Sequence, residues 1–140
     1  MAEARARVFE YGVTLDAGWA ATSDRGGASL PHDEQAWTPE HLLLVALARC
    51  SLTSLAYHAR RDGLTAEARA GASGKVTVRE DDGRFAFVEI GVDADVTLEP
   101  APDEERVRAL LAKAERDCFV GASLSLTPVY RWTVNGVEVA

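Results

Sequence analysis

Cysteine and histidine are scarce in this chain. There are two cysteines, Cys50 and Cys118, and three histidines, His32, His41 and His58. The cysteines do not stand at zinc-ligand spacing. His41 and His58 fall near opposite ends of what reads as one helix, so they do not share a metal within one subunit. No metal and no bound cofactor is therefore expected. Positive charge is also short: 15 Lys and Arg stand against 22 Asp and Glu, a net charge of -7. That balance argues against nucleic acid as a partner, because phosphate-backbone binding needs clustered positive charge. Long apolar runs are missing as well. The longest, Leu42 to Ala48, falls far short of the roughly 20 residues a bilayer requires, so no membrane span is expected. The first residues, Met-Ala-Glu-Ala-Arg-Ala-Arg-Val, are charged and lack the apolar region of a signal peptide. A cytoplasmic location is the expectation. The glycine pair in Asp24-Arg-Gly-Gly-Ala lacks the Lys-Ser/Thr ending of a phosphate loop, and no Gly-x-Ser-x-Gly occurs.

What is present is an ordinary globular composition, with 47% hydrophobic and 26% charged residues over 140 positions. This is one domain's worth of chain, read as residues 1–140, and it is long enough to build a core without disulfide or metal staples. Repeats, low-complexity segments and long linkers are not found.

Periodicity outlines the elements. Val8-Phe9 and the alternating Val13, Leu15, Ala17 and Trp19 predict a short antiparallel pair turning near Tyr11-Gly12. Ser23 to Trp37 reads as loop, with Gly26-Gly27 and Pro31 denying it regular structure. Thr38 as cap, Pro39 at the first helical position and Glu40 in the first turn open a long helix that Gly63 closes. At about 24 residues it spans roughly 36 Å. It is apolar on nearly every side, which suggests a central, buried helix. Leu64 to Arg79 and Phe85 to Leu98 read as strands joined by a turn at Asp82-Gly83. In the second, Phe85 and Phe87 face one way and Val88, Ile90, Val92, Ala94, Val96 and Leu98 the other. Gly91 marks a candidate bulge. Pro100 and Pro102 precede a second helix from Asp103 to about Asp117, with Val107, Leu110, Leu111 and Ala114 as its apolar stripe. Tyr130 to Val139 reads as one closing strand. The order ββ-α-βββ-α-β predicts an α+β domain with antiparallel sheet.

Cys50 lies mid-helix on an apolar face with Leu43, Ala46, Leu47, Ser54 and Tyr57. Cys118 ends the stripe of the second helix. Both thiols point inward and meet if the two helices pack together. Two readings stay open on these residues alone. The thiols are inert core groups, as free cysteines often are, or they are a reactive pair, which requires a nearby cation and partial access. Arg49 points about 100° away from Cys50 around the helix. Glu40 lies ten residues before Cys50, about 15 Å along the axis. It is either a plain first-turn acid or acts on Cys50 through an arginine from the loop or a second subunit.

The segment Trp37-Thr-Pro-Glu-His-Leu-Leu-Leu-Val-Ala-Leu-Ala-Arg-Cys50 strongly resembles the first motif of the OsmC/Ohr family, the osmotically inducible and organic-hydroperoxide-resistance proteins. Ala114-Glu-Arg-Asp-Cys118-Phe-Val-Gly-Ala-Ser-Leu resembles the second. The resemblance extends over essentially the whole chain. It implies an intertwined homodimer of curved antiparallel sheets around two central helices, with sites at the subunit interface. It implies a cysteine peroxidase in which Cys50 attacks an organic hydroperoxide and becomes a sulfenic acid. Cys118 then resolves that acid into a Cys50–Cys118 disulfide. An external dithiol, in this family typically a lipoyl group on a protein, restores both thiols. Glu40 matches the glutamate that orients a catalytic arginine. Arg25 is the nearest loop candidate for that arginine, with Arg5 and Arg7 further back. Arg49 stands where the family often has a small residue. The competing expectation is a non-enzymatic module of the same fold that holds an apolar small molecule at the dimer interface.

Overall fold

Among the described residues, ten elements follow one another along the chain. They are β1 (Val13–Leu15), β2 (Ala21–Ser23), β3 (Ala28–Ser29), α1 (Pro39–Arg61), β4 (Thr65–Val78), β5 (Phe85–Glu99), α2 (Glu104–Arg116), α3 (Phe119–Ala122), β6 (Val129–Val134) and β7 (Val137–Val139). The computed structural model describes residues 7–15, 17–18, 20–29 and 36–139. Trp19, His32, Pro31 and Arg5, named above, lie outside them. The chain groups into two compact units, residues 1–39 and 40–140.

In the first unit, β1, β2 and β3 form an antiparallel sheet, with Leu15 opposite Ala21 and Ala21 opposite Ser29. The expected turn at Tyr11-Gly12 is not where the chain reverses, and Val8-Phe9 is not a strand. The reversal comes after Leu15. Part of the expected loop, Ala28–Ser29, pairs instead as β3. The β2–β3 turn is possible because Gly26 and Gly27 both take positive φ, 82° and 88°, which glycine adopts at no steric cost.

In the second unit, α1 ends as its sequence predicts. Gly63 takes φ 75°, and the Leu64 amide donates to the Ala59 carbonyl at 2.8 Å, so the last carbonyls are satisfied. The reading of α1 as a central, buried helix holds for one face only. Leu47, Ser51, Ser54, Leu55 and Ala59 are buried, while Leu42, Val45 and Tyr57 are exposed. Apolar content does not say what covers a face. The expectation that no segment is suited to a bilayer is corrected too: by length and composition alone, α1 is long and apolar enough to cross one, and most of it is unburied within this chain. Counting only uninterrupted apolar residues missed this, because a few polar positions break a helix that is apolar on average.

The second sheet runs β4-β5-β6-β7. Two strands, not three, lie between α1 and α2, and β4 and β5 are a long antiparallel hairpin. Its irregularity sits beside Lys75 and Val76, not at Gly91: Lys75 opposes Glu89 and Val76 opposes Phe87, so Val88 is the extra residue. The bulge shifts the alternation by one position. Phe87 consequently packs on the same cluster as Ile90 and Val92, not on the opposite face. The α+β class stands, but the sheet is mixed, because β5 and β6 pair in parallel. The helical crossover through α2 and α3 returns the chain to the same end, which parallel pairing requires. The expected final strand is a hairpin, β6–β7, turning at Asn135 (φ 50°) and Gly136 (φ 80°), the geometry that Asn-Gly favours.

One buried cluster joins Leu55 and Ala59 of α1, Val96 and Leu98 of β5, Leu110 and Leu111 of α2, and Trp132 and Val134 of β6. A second joins Leu47, Ile90, Val92 and Cys118, with Cys50 packed against it. The second cluster carries the site.

Candidate active site

The two cysteines come together. Cys50 lies at mid-length of α1 and is partly buried; Cys118 is fully buried. Cys118 follows α2, which opens with Asp103 as its cap, and it is the cap residue of α3. The short α3 folds back over both sulfurs. The Val120 amide donates to Cys50 Sγ at 3.5 Å, and the Gly121 amide donates to Cys118 Sγ at 3.4 Å. Gly121 is close-packed, since a Cβ there would stand 3.4 Å from Cys118 Sγ and 3.6 Å from Leu47 Cδ1.

Electrostatics at Cys50 are set by burial first. Burial pushes its thiol up, because a buried thiolate loses hydration. The Val120 amide pulls it partly back, the adjacent Cys118 thiol pushes it up again, and the Phe119 amide draws it down. No cation is among these groups.

Two residues not anticipated from sequence complete the arrangement. Ser51 is buried, and its hydroxyl lies 3.6 Å from Cys118 Sγ and 3.0 Å from the hydroxyl of Tyr130 on β6. Burial, opposed by the bond to Ser51, pushes the Tyr130 phenol up to about 12. The ring of Tyr130 stacks on Trp132 at 5.6 Å. A polar residue next to Cys50 in an apolar run was the available signal for Ser51. Nothing local marked Tyr130.

The other two expected residues are Glu40, on α1, and Arg25, in the N-terminal unit. Glu40 is exposed in the first turn of α1, about 15 Å along the helix from Cys50 at 1.5 Å per residue. Arg25 belongs to the N-terminal unit. There it sits in the β2–β3 turn, with its amide bonded to Ser23 Oγ at 3.0 Å and its guanidinium 4.8 Å from the Tyr11 ring centre. Just before Cys118, Asp117 binds His58 of α1 at 2.8 Å. That bond ties the end of α2 to the end of α1.

An α+β fold with two thiols at an apolar α1–β5 cluster, under a short helix, defines a class of protein that sequence and fold comparisons then place. The chain belongs to the OsmC-like protein family, whose model matches residues 32–132. No curated protein matches the sequence. Solved structures share the fold. An OsmC-like protein of unknown function from Vibrio cholerae aligns with TM-score 0.72 at 14% identity, covering 89% of this chain and 99% of that one. An OsmC-like protein from Mycoplasma pneumoniae aligns with TM-score 0.68 at 18% identity, covering 91% and 97%. The organic hydroperoxide resistance protein OhrB of Bacillus subtilis aligns with TM-score 0.58 at 22% identity, covering 91% and 98%.

Proposed function

We propose that this chain is a thiol-dependent peroxidase that reduces organic hydroperoxides. The observation that carries the reading is the pairing of Cys50 and Cys118 under consecutive amides of α3. The Cys50 thiolate attacks the outer oxygen of the hydroperoxide; an S–O bond forms, the O–O bond breaks, and the alcohol leaves. Cys118 then attacks the Cys50 sulfur; the S–S bond forms, the S–O bond breaks, and water leaves. An external dithiol, such as a lipoylated protein, reduces the disulfide by two exchange steps. The apolar cluster on which Cys50 packs, joined also by Leu44, Phe87, Val120 and Leu124, favours bulky organic peroxides over hydrogen peroxide.

The raised Cys50 thiol needs a cation to work near neutral pH. Arg25, held by Glu40, is the proposed source. A homodimer formed through the exposed apolar face of α1 is proposed as the assembly. The cytoplasm is the proposed location, where free thiols persist.

A second reading is a binding module of the same fold that holds an apolar small molecule at the dimer interface, its cysteines incidental. The raised Cys50 thiol favours it. Turnover of cumene hydroperoxide with a dithiol separates the two. The peroxidase reading expects consumption that exceeds that of hydrogen peroxide and disappears in Cys50→Ser. No consumption by the reduced wild-type protein would contradict it.

A further inference from the structure

Ser51 follows Cys50 in sequence, yet its hydroxyl serves the other thiol. It is 1% exposed and donates to the Leu47 carbonyl at 2.9 Å. A hydroxyl has one proton to give and two lone pairs to receive with. With the proton on Leu47, the lone pairs accept from the Tyr130 hydroxyl at 3.0 Å and from the Cys118 S–H at 3.6 Å. Every group is then satisfied.

Ionised Cys118 has no proton to give, and a buried anionic sulfur needs donors. The Gly121 amide is one, at 3.4 Å. Ser51 becomes a second by turning its O–H from Leu47 to the sulfur. The Leu47 carbonyl keeps its helical bond from the Ser51 amide, so the turn leaves nothing unpaired. Tyr130 goes on donating to Ser51 in both states, and burial keeps its phenol protonated.

We propose that Ser51, held by Tyr130, is a positioning residue for Cys118: a turning donor that aims its sulfur and supports it as the attacking thiolate when the Cys50–Cys118 disulfide forms. The inference deepens the thiol reading above and rests on it. In the step concerned, Cys118 attacks the Cys50 sulfur, the S–S bond forms, and the bond from Cys50 to its leaving group breaks. The leaving group takes the electron pair, and the Cys118 proton passes to solvent.

A probe that needs no peroxide tests this. Reduced full-length protein reacts with 4,4′-dithiodipyridine. The first thiopyridone released reports a mixed disulfide on Cys50, and the second reports attack by Cys118. In Ser51→Ala, the second phase is expected to slow about tenfold, the scale of one charge-assisted hydrogen bond, with the first phase unchanged. Ser51→Thr, which keeps the hydroxyl, is expected to restore the second phase. Tyr130→Phe is expected to slow it less, and serves as the test if the alanine variant does not fold. An unchanged second phase, equal slowing of both phases, or no rescue by threonine would overturn the proposal. Two normal phases without hydroperoxide turnover would instead remove the peroxidase reading and leave the role of Ser51 in thiol exchange intact.

Discussion

Cys50 and Cys118, from helices far apart in the chain, are hydrogen-bonded by neighbouring amides: Val120 reaches Cys50 Sγ at 3.5 Å and Gly121 reaches Cys118 Sγ at 3.4 Å. One short helix therefore fixes both sulfurs at once. Two inert core thiols need no such donors, since a thiol is only a weak acceptor. The same donors are useful to thiolates, and the two thiols are expected to take different roles.

Replacing each cysteine separates those roles. Cys50→Ser is expected to abolish hydroperoxide consumption. Cys118→Ser is expected to form one sulfenic acid, trapped by dimedone as a single adduct, and then to stall or over-oxidise. Normal turnover of Cys118→Ser with a small dithiol would remove the resolving role.

The pH profile tests the cation. A raised thiol is mostly protonated at neutral pH, so attack on peroxide speeds up as pH rises. A neighbouring cation reverses that shift. The wild-type rate is expected to level off near neutral pH. The Arg25→Ala rate is expected to keep climbing into the alkaline range and to fall below wild type at pH 7 by about tenfold for each unit of thiol pKa. Matching profiles would pass the role to another arginine.

The α1 face tests the assembly. Val45 is 48% exposed, so Val45→Arg is expected to leave the protomer's melting temperature nearly unchanged. It is expected to shift a dimer to monomer in analytical ultracentrifugation. A monomeric wild-type protein, or a Val45→Arg dimer, would remove this face from the interface.

Asn135 tests the fold itself. Its side chain brackets Leu98: Oδ1 accepts from the Leu98 amide at 2.9 Å and Nδ2 donates to the Leu98 carbonyl at 3.2 Å. It does so from a left-handed backbone, φ 50°. Asn135→Ala loses both bonds and a residue suited to that conformation, and urea denaturation is expected to show a loss of about 1–3 kcal/mol. A change below about 0.5 kcal/mol, the scale of an ordinary surface substitution, would contradict this account of the turn.

Local chemistry made much of this legible. Thr38-Pro39 and Gly63 bound α1, and Asp103 caps α2 through the Arg106 amide at 2.8 Å, because caps are decided by neighbouring residues. The stripe ending at Cys118 was also readable from helical spacing; the expected face of Cys50 was readable only in part, since Leu47 and Ser54 are buried but Ala46 and Tyr57 are exposed. The change of alternation between Phe87 and Val88 was visible, but Gly91 drew attention as the bulge because glycine tolerates irregular backbone. Asn135-Gly136 is a strong turn signal, concealed by apolar residues that alternate on both sides. Ser51, Cys118 and Tyr130 meet only through the tertiary fold, and no periodicity reports such a meeting. The exposed face of α1 follows the same logic, since its residues are apolar whether a sheet or a second copy covers them.

The most direct test of the central claim is a thiol count and peptide map of reduced protein after one equivalent of cumene hydroperoxide. The account predicts loss of both thiols, a mass lower by two hydrogens, and a single linked peptide pair joining Cys50 to Cys118. Two intact thiols after prolonged exposure, or oxidation of Cys50 that never engages Cys118, would contradict it.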